Sequence, residues 1–193
     1  MIIFKMKITV IMLMMVILVL SFMSCSSFTK SKKTKVGDII TFGAYEWRVL
    51  DIRDDHALII TKDIIMQKRF DSDSSIWVNS EIRAYLNDDF YNSFTSENRV
   101  RIRETQLKIV GQEYTLDNVF LLSIQEAVEY FENNDTARKA LYNSSAAWWW
   151  LRSPFHSHNV YYVSSKGTLF LEWHDNPVHY DDGGVRPALW LKL

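Results

Sequence analysis

The chain has 193 residues, with 22 lysines and arginines against 23 aspartates and glutamates, and a formal net charge of −1. A chain this close to neutral lacks the basic surface that nucleic acids require, so no nucleic-acid partner is expected. A single cysteine excludes an intramolecular disulfide, and aromatic residues make up 14% of the chain, which predicts a fold held together by its apolar core.

A charged and then apolar segment opens the chain. Lys5 and Lys7 precede an almost unbroken apolar run over residues 8–22, and small residues surround the lone Cys25. This order predicts a secretory signal, and the run is shorter than the ~20 residues that a membrane-spanning helix needs. The pattern resembles a bacterial lipoprotein signal. An ordinary cleaved signal and an uncleaved anchor are the alternatives.

The lipoprotein resemblance implies removal of residues 1–24 and attachment to a membrane through lipid on Cys25. It places the protein in the cell envelope, facing the periplasm or the exterior. The remaining 169 residues carry 20 basic and 23 acidic side chains and suffice for one domain. Residues 25–35 are polar, basic and without periodicity, which predicts a flexible tether. Residues 36–193 are predicted to form a single globular domain.

Three short strands are predicted at the start of this domain. Residues 38–42, 45–52 and 56–61 are rich in Ile, Val, Leu and aromatic residues. Gly43 and the run beginning at Arg53 punctuate them. This pattern predicts a three-stranded β meander.

Helices are predicted in the middle of the domain. Asn79 or Ser80 can cap a helix whose apolar residues recur at spacings of three and four. Those residues are Ile82, Tyr85, Leu86 and Phe90. A second short helix is predicted from Thr95 or Ser96 to Val100.

A capping box marks a further helix. Ser123 and Glu126 have the spacing at which each side chain can bond the other's backbone N–H. The helix that follows is predicted to place Ala127, Val128 and Phe131 inward.

Strand patterns return in the last third of the chain, at residues 148–152, 160–164, 168–173 and 185–191. The turn sequence Ser165-Lys166-Gly167 predicts a hairpin between the second and third of these strands. The predicted fold class is therefore α+β: an N-terminal β meander, a helical middle and a C-terminal looped antiparallel sheet.

Six sequence blocks occur in an order that is typical of one family. They are Gly37–Ile40, Glu46–Leu50, Ile82–Asn87, Val119–Ser123, Trp149–Pro154 and Gly184–Trp190. On these blocks the chain resembles the bacterial family labelled domain of unknown function 6273, across nearly all of residues 36–193. That family has no established activity to carry over.

A second resemblance rests on fewer residues. Trp149–Pro154, a glycine-turned hairpin and then Gly184–Pro187 are similar to C-type-lectin-like and formylglycine-generating-enzyme-like domains. The similarity implies a C-type-lectin-like mixed architecture that displays ligands on long loops.

The C-terminal loops contain the candidate metal ligands. His156 and His158 would lie on one face of an extended segment, and His174 and Asp175 follow. Such a cluster could hold a divalent ion, but solvent-exposed loop histidines explain the same pattern. Without an HExxH or similar spacing, we expect no cofactor, with a metal as the alternative.

Specific catalytic and calcium-lectin signatures are missing from the sequence. Glu172–Pro177 offers oxygen ligands for calcium but lacks the Glu-Pro-Asn triplet of sugar-binding lectins. No Gly-x-Ser-x-Gly elbow is present, and spacing places no acid–base pair. The sequence therefore favours a protein that is not an enzyme.

Two arginines interrupt apolar strands near the C-terminus. Arg152 follows Leu151 and Arg186 follows Val185, and a buried guanidinium is costly unless it is fully bonded. We predict structural roles for both, and for Trp149 as a core residue. The alternative is that the arginines hold an anionic ligand.

These observations favour a non-catalytic ligand-binding module that uses the loops 154–159 and 173–184. Its ligand would be a glycan, a peptidoglycan fragment or an envelope protein. The candidate binding residues are Tyr161, Trp173, His174, Asp175, Asn176, His179 and Asp181. The alternative is a metal-dependent envelope enzyme that uses the same His- and Asp-rich loops.

Overall fold

The computed structural model of the protein describes residues 33–109, 111, 113–132, 134–169 and 177–193.

Two hairpin-linked strands form the centre of the larger sheet. Strand β2 (Tyr45–Arg53) pairs antiparallel with β3 (His56–Thr61). Asp54 forms the turn with a φ of 54°, a left-handed conformation in which aspartate is enriched. Every residue of β3 after His56 is buried, so this strand lies inside the core.

The chain's last strand completes this sheet beside its first three. Strand β1 (Ile39–Phe42) pairs with β2, which confirms the predicted meander. On the other side of β3 lie the C-terminal strand (Ala188–Lys192) and then a short strand, β5 (Ile102–Arg103). All four pairings are antiparallel. The α+β class is confirmed, but the predicted C-terminal sheet does not contain this last strand.

A second sheet contains the remaining long strands. Its centre is a strand over Trp149–His156, which pairs antiparallel with Asn159–Val163 and parallel with Gly184–Val185. The strand β4 (Met66–Gln67) closes the other edge. The backbone passes tightly against Trp150, because a Cβ on Gly183 would lie 2.0 Å from its indole Nε1.

The predicted strand over residues 185–191 is divided between the two sheets. Val185 belongs to the second sheet, and Ala188 begins the strand in the first. Pro187 has no backbone N–H to give to a sheet, so the chain can leave one sheet and enter the other here. Its carbonyl accepts a 2.9 Å bond from the N–H of Thr61.

Two small hairpins flank these sheets. Strand β6 (Thr105–Leu107) pairs with β7 (Thr115–Asp117), and β8 (Ala140–Tyr142) pairs with β9 (Ser145–Ala147). In chain order, the strands already described over Trp149–His156, Asn159–Val163, Gly184–Val185 and Ala188–Lys192 are β10, β11, β12 and β13.

Short helices occupy the middle of the chain, each with a side-chain cap. Helix α1 (Glu81–Tyr85) follows a 3₁₀ turn over Trp77–Asn79 and continues as a π-helical segment over Leu86–Phe90. Helix α2 (Ser96–Arg99) begins after Thr95, whose hydroxyl accepts from the N–H of Asn98. The two predicted helices in this region are confirmed.

Two more helices follow. Helix α3 (Ile124–Tyr130) begins at the predicted capping box, with both reciprocal bonds formed. Helix α4 (Asp135–Arg138) has Asn134 as its cap. Ala127 and Phe131 are buried as predicted, but Val128 is 36% exposed. The prediction for Val128 was wrong because α3 is only seven residues long and presents a narrow buried face.

Both sheets and the helices α1 and α3 contribute to one apolar core. Four tryptophans are fully buried in it: Trp47, Trp77, Trp149 and Trp150. Each buried aromatic side chain removes a large apolar area from water, which is the main favourable term for folding. None of the helices in the described residues is both long and apolar enough to cross a membrane.

The predicted hairpin between residues 160–164 and 168–173 is described only in part. The N–H of Ser164 donates 3.0 Å to the carbonyl of Thr168, and Val163 forms a bridge with Leu169. Residues 170–176 lie outside the described residues. The turn is therefore present, and most of its second strand is not described.

Candidate ligand-binding cleft

A cleft of about 610 Å³ opens where α3 begins beside the second sheet. Its walls are Lys108–Ile109, Ser123–Glu126, Arg152–Pro154 and Tyr161. We call this feature the Arg152 cleft. The four segments come from a loop after β6, the first turn of α3, the middle of β10 and the strand β11, so the tertiary fold creates the cleft.

An ion pair forms the floor between two of these segments. The Nη1 of Arg152 donates 2.5 Å to Oε2 of Glu126, and its Nη2 donates 2.8 Å to Oε1. Nη1 also donates 2.6 Å to the carbonyl of Leu121. This bidentate geometry is the strong form of an arginine–carboxylate contact. It fixes α3 against β10.

The first turn of α3 is held by three further contacts. The hydroxyl of Ser123 accepts from the N–H of Glu126, and Oε2 of Glu126 accepts a 2.8 Å bond from the N–H of Ser123. From the neighbouring strand, Ser153 Oγ accepts a 3.0 Å bond from the N–H of Ile124. The cleft wall at the start of α3 is therefore preorganised by side chains that satisfy its backbone.

Aromatic and apolar groups also line the cleft. Tyr161 is half-buried, and its ring packs edge-on against Phe155 with centroids 5.1 Å apart. Pro154 and the buried Ile109 contribute aliphatic surface. A partly exposed ring beside polar groups is suited to stacking against a sugar or a peptide bond.

The charge of the cleft is set by three side chains. Glu126 and Arg152 neutralise each other in the ion pair. Lys108 is exposed and forms no ion pair with any residue that the structure describes. The walls therefore carry one uncompensated positive charge.

Of the predicted binding residues that the structure describes, only Tyr161 lines the cleft. His179 and Asp181 are exposed in the turn that precedes β12, and neither lines the cleft. The remaining candidates lie outside the described residues: Trp173, His174, Asp175 and Asn176. The lipidation candidate Cys25 lies outside them as well.

The two predicted loops nevertheless meet in space. The N–H of Val178 donates 2.9 Å to the carbonyl of His158, and Asn159 forms a bridge with Pro177. His158 Nδ1 lies 2.5 Å from the carbonyl oxygen of Asp73. The tip of the β10–β11 hairpin is thus exposed but hydrogen-bonded to two other segments.

The described residues do not assemble a metal site. His156 and His158 both occupy the exposed hairpin tip. Within the described part of the chain, no three His, Cys, Asp or Glu side chains are grouped so that they could hold a metal ion. His174 and Asp175 lie in the segment that is not described, so the metal prediction stays a prediction.

The second buried arginine lies away from the cleft. Arg186 donates 2.8 Å to the carbonyl of Thr61, 3.0 Å to that of Lys62 and 3.1 Å to that of Arg138. Its guanidinium carbon lies 4.9 Å from the ring centroid of Trp149. Burial lowers the pKa of Arg186 to about 9, with repulsion from Arg48 adding to the effect.

Sequence reasoning missed most of the cleft. Lys108, Gln125 and Ser153 were not candidates, and Glu126 was recognised only as a helix cap. Arg152 gave a partial indication of the cleft in the sequence, because a charged residue in an apolar strand requires a partner from elsewhere in the chain. Nothing in the local sequence indicates that the partner is Glu126.

Comparison with known families gives one match. A family model described as "Domain of unknown function (DUF6273)" matches residues 54–193. The match includes every residue of the Arg152 cleft. Searches of curated proteins and of solved structures return no match.

Proposed function

The chain belongs to the DUF6273 family, as its sequence blocks predict, and we propose that it is a cell-envelope lipoprotein that binds a peptidoglycan fragment. The fragment occupies the Arg152 cleft and is held without chemical change. Lipid on Cys25 attaches the protein to a membrane facing the periplasm or the exterior. Residues 25–35 act as the tether between lipid and domain.

The observation that carries this proposal is the size and lining of the cleft. At about 610 Å³ it lies within the range of small-ligand sites, which is roughly 300–1,000 Å³. The lining combines apolar surface from Ile109, Pro154 and Tyr161 with polar groups from α3 and β10. A glycan with a short peptide presents both kinds of surface, so it matches this lining.

The bonding in the cleft favours binding over catalysis. The Glu126 carboxylate already accepts from Arg152 and from a backbone N–H, so it is poorly placed to act as a general base. The hydroxyls of Ser123 and Ser153 accept from backbone N–H groups. Among the described residues that line the cleft there is no histidine to activate either hydroxyl.

Calorimetry on the full chain in detergent tests the binding proposal. The probe is a soluble muropeptide mixture, made by muramidase digestion of purified peptidoglycan. We expect saturable binding, and at least tenfold weaker binding for Tyr161→Ala because the cleft loses its aromatic wall. Tyr114→Ala is the matched control, since Tyr114 is 63% exposed and does not line the cleft.

Two results would contradict the proposal. One is no binding heat with the wild-type chain. The other is equal loss of affinity in Tyr161→Ala and Tyr114→Ala. Mass spectrometry of the muropeptides after incubation distinguishes the enzyme alternative, because a catalyst would shorten or deacylate them. Elemental analysis of the same sample shows whether a stoichiometric metal accompanies any turnover.

The anchor is tested separately with Cys25→Ala. If the lone cysteine carries the lipid, the wild-type chain incorporates labelled palmitate in a bacterial host and sediments with membranes. The variant should lose the label and should move to the soluble fraction unless its signal stays uncleaved. Palmitate labelling that persists in Cys25→Ala would rule out lipidation at this residue.

A further inference from the structure

The geometry points to a carboxylate-bearing ligand in the Arg152 cleft, with Lys108 as the residue that selects it. This inference rests on the proposed function and specifies the chemical class of the ligand. It follows from which charges in the cleft are already paired and which are not.

The acidic group of the cleft is already paired. Both oxygens of Glu126 accept bonds from Arg152, at 2.5 and 2.8 Å, and one of them also accepts from the N–H of Ser123. The Arg152 guanidinium therefore neutralises this carboxylate, and a cationic ligand would compete with the bidentate ion pair. Loss of that pair would leave Arg152, which is 3% exposed, as an unpaired buried charge. The cleft is consequently unsuited to a cation.

Lys108 is the charge that remains available. Its neighbours Leu107 and Ile109 are both buried, so the backbone at this position is fixed. The Lys108 side chain itself is exposed at the cleft wall. Among the described residues it has no acidic partner, and an anionic group of a ligand can pair with it without displacing any described contact.

The remaining polar groups also favour an acceptor-rich ligand. The oxygens of Ser123 and Ser153 already accept backbone N–H bonds, so each hydroxyl has its hydrogen left to donate. Tyr161 adds a third hydroxyl to the walls. A carboxylate offers acceptors only. The free carboxylates of muropeptide stems provide this chemistry.

The test compares one muropeptide mixture before and after its carboxyl groups are converted to amides with carbodiimide and ammonia. The two probes share their sugars and differ in negative charge. We expect the full wild-type chain to bind the native mixture about fivefold more tightly at low salt, as for an exposed ion pair. The preference should shrink at high salt because surface charges are screened.

Charge reversal identifies the residue responsible. Lys108→Gln should bind both probes equally, and Lys108→Glu should prefer the amidated mixture. Lys139→Glu is the matched control, because Lys139 is exposed and lies outside the cleft. It should keep the wild-type preference, which separates a local effect from a change in net charge.

The outcomes separate the ligand class from the proposed function. Equal binding of both probes by the wild-type chain, with affinity still dependent on Tyr161, overturns the carboxylate inference and leaves peptidoglycan binding in place. A preference that Lys139→Glu and Lys108→Glu reduce alike also overturns it. If neither mixture binds, the proposed function fails and the inference fails with it.

Discussion

Arg152 and Arg186 are both buried arginines in apolar strand sequences, and their main partners are of different kinds. Arg152 pairs with the carboxylate of Glu126, whose side chain is 24% exposed. Arg186 donates only to backbone carbonyls and lies over the ring of Trp149. The charge of Arg152 is compensated by a carboxylate that is partly exposed to solvent, whereas Arg186 is enclosed by backbone carbonyls and an aromatic ring.

This difference indicates which arginine belongs to a site. The bonds of Arg186 join β3, the chain after β3 and the end of α4, so its contribution is to the stability of the core. The bonds of Arg152 join α3 to β10 and form the floor of the cleft. A mutation at Arg186 should therefore change the free energy of unfolding, whereas a mutation in the Arg152 pair should change ligand affinity as well.

The largest effect is expected for Arg186→Met. The substitution keeps a long apolar stem but leaves the carbonyls of Thr61 and Lys62 without this donor. The bond to Thr61 is buried and the bond to Lys62 is partly buried. An unpaired buried acceptor costs roughly 1–3 kcal/mol, so we expect a loss of about 3 kcal/mol in the free energy of unfolding. Chemical denaturation followed by tryptophan fluorescence measures the change.

Arg103→Met is the matched control for this substitution. Arg103 is exposed, and its replacement should alter the free energy of unfolding by less than about 0.5 kcal/mol. If the two variants were equally stable, the carbonyl contacts of Arg186 would not support the core. Where Arg186→Met remains folded, its affinity for muropeptides should match that of the wild-type chain.

A smaller and more informative effect is expected for Glu126→Gln. Glutamine can still close the capping box, but Arg152 loses its charge partner. Breaking a fully buried ion pair costs roughly 3–5 kcal/mol. Because the Glu126 side chain is 24% exposed, we expect a smaller fall in the free energy of unfolding, of about 2 kcal/mol. Affinity for the native muropeptide mixture should rise, because the cleft gains positive charge.

In Glu126→Gln, a lower free energy of unfolding together with a higher ligand affinity would distinguish the role of Arg152 from that of Arg186. Calorimetry and denaturation are both measured on Glu126→Gln. Glu129→Gln on the exposed side of α3 is the control, since it removes the same charge outside the cleft. A parallel loss of stability and affinity in Glu126→Gln would mean that the ion pair supports the cleft wall without setting its charge.

Local structure could be predicted from sequence to a useful extent. The β meander depends on neighbouring strands joined by short turns, and the α3 capping box depends on residues three apart. Both are encoded within a few residues, and both are present. Family membership is likewise readable from short ordered blocks of residues, and the family match confirms it.

The cleft could not be predicted because its parts are distant in the chain. Glu126 and Arg152 are 26 residues apart, and Lys108 comes from a third segment. The sequence drew attention to the histidine- and aspartate-rich loops, and the described side chains of those loops form no metal-binding cluster. The division of the predicted last strand at Pro187 could not be predicted either. It depends on which sheet each half of the strand joins, and the tertiary fold decides this.

Hydrogen–deuterium exchange of the full chain, with and without the muropeptide mixture, tests most directly whether the Arg152 cleft is the binding site. Ligand binding should slow exchange in peptides that cover residues 108–109, 123–126, 152–153 and 161. It should leave the turn over residues 178–182 unchanged. Protection confined to that turn and the neighbouring loop, with none at α3 or β10, would contradict the account and return the site to the loops that the sequence first indicated.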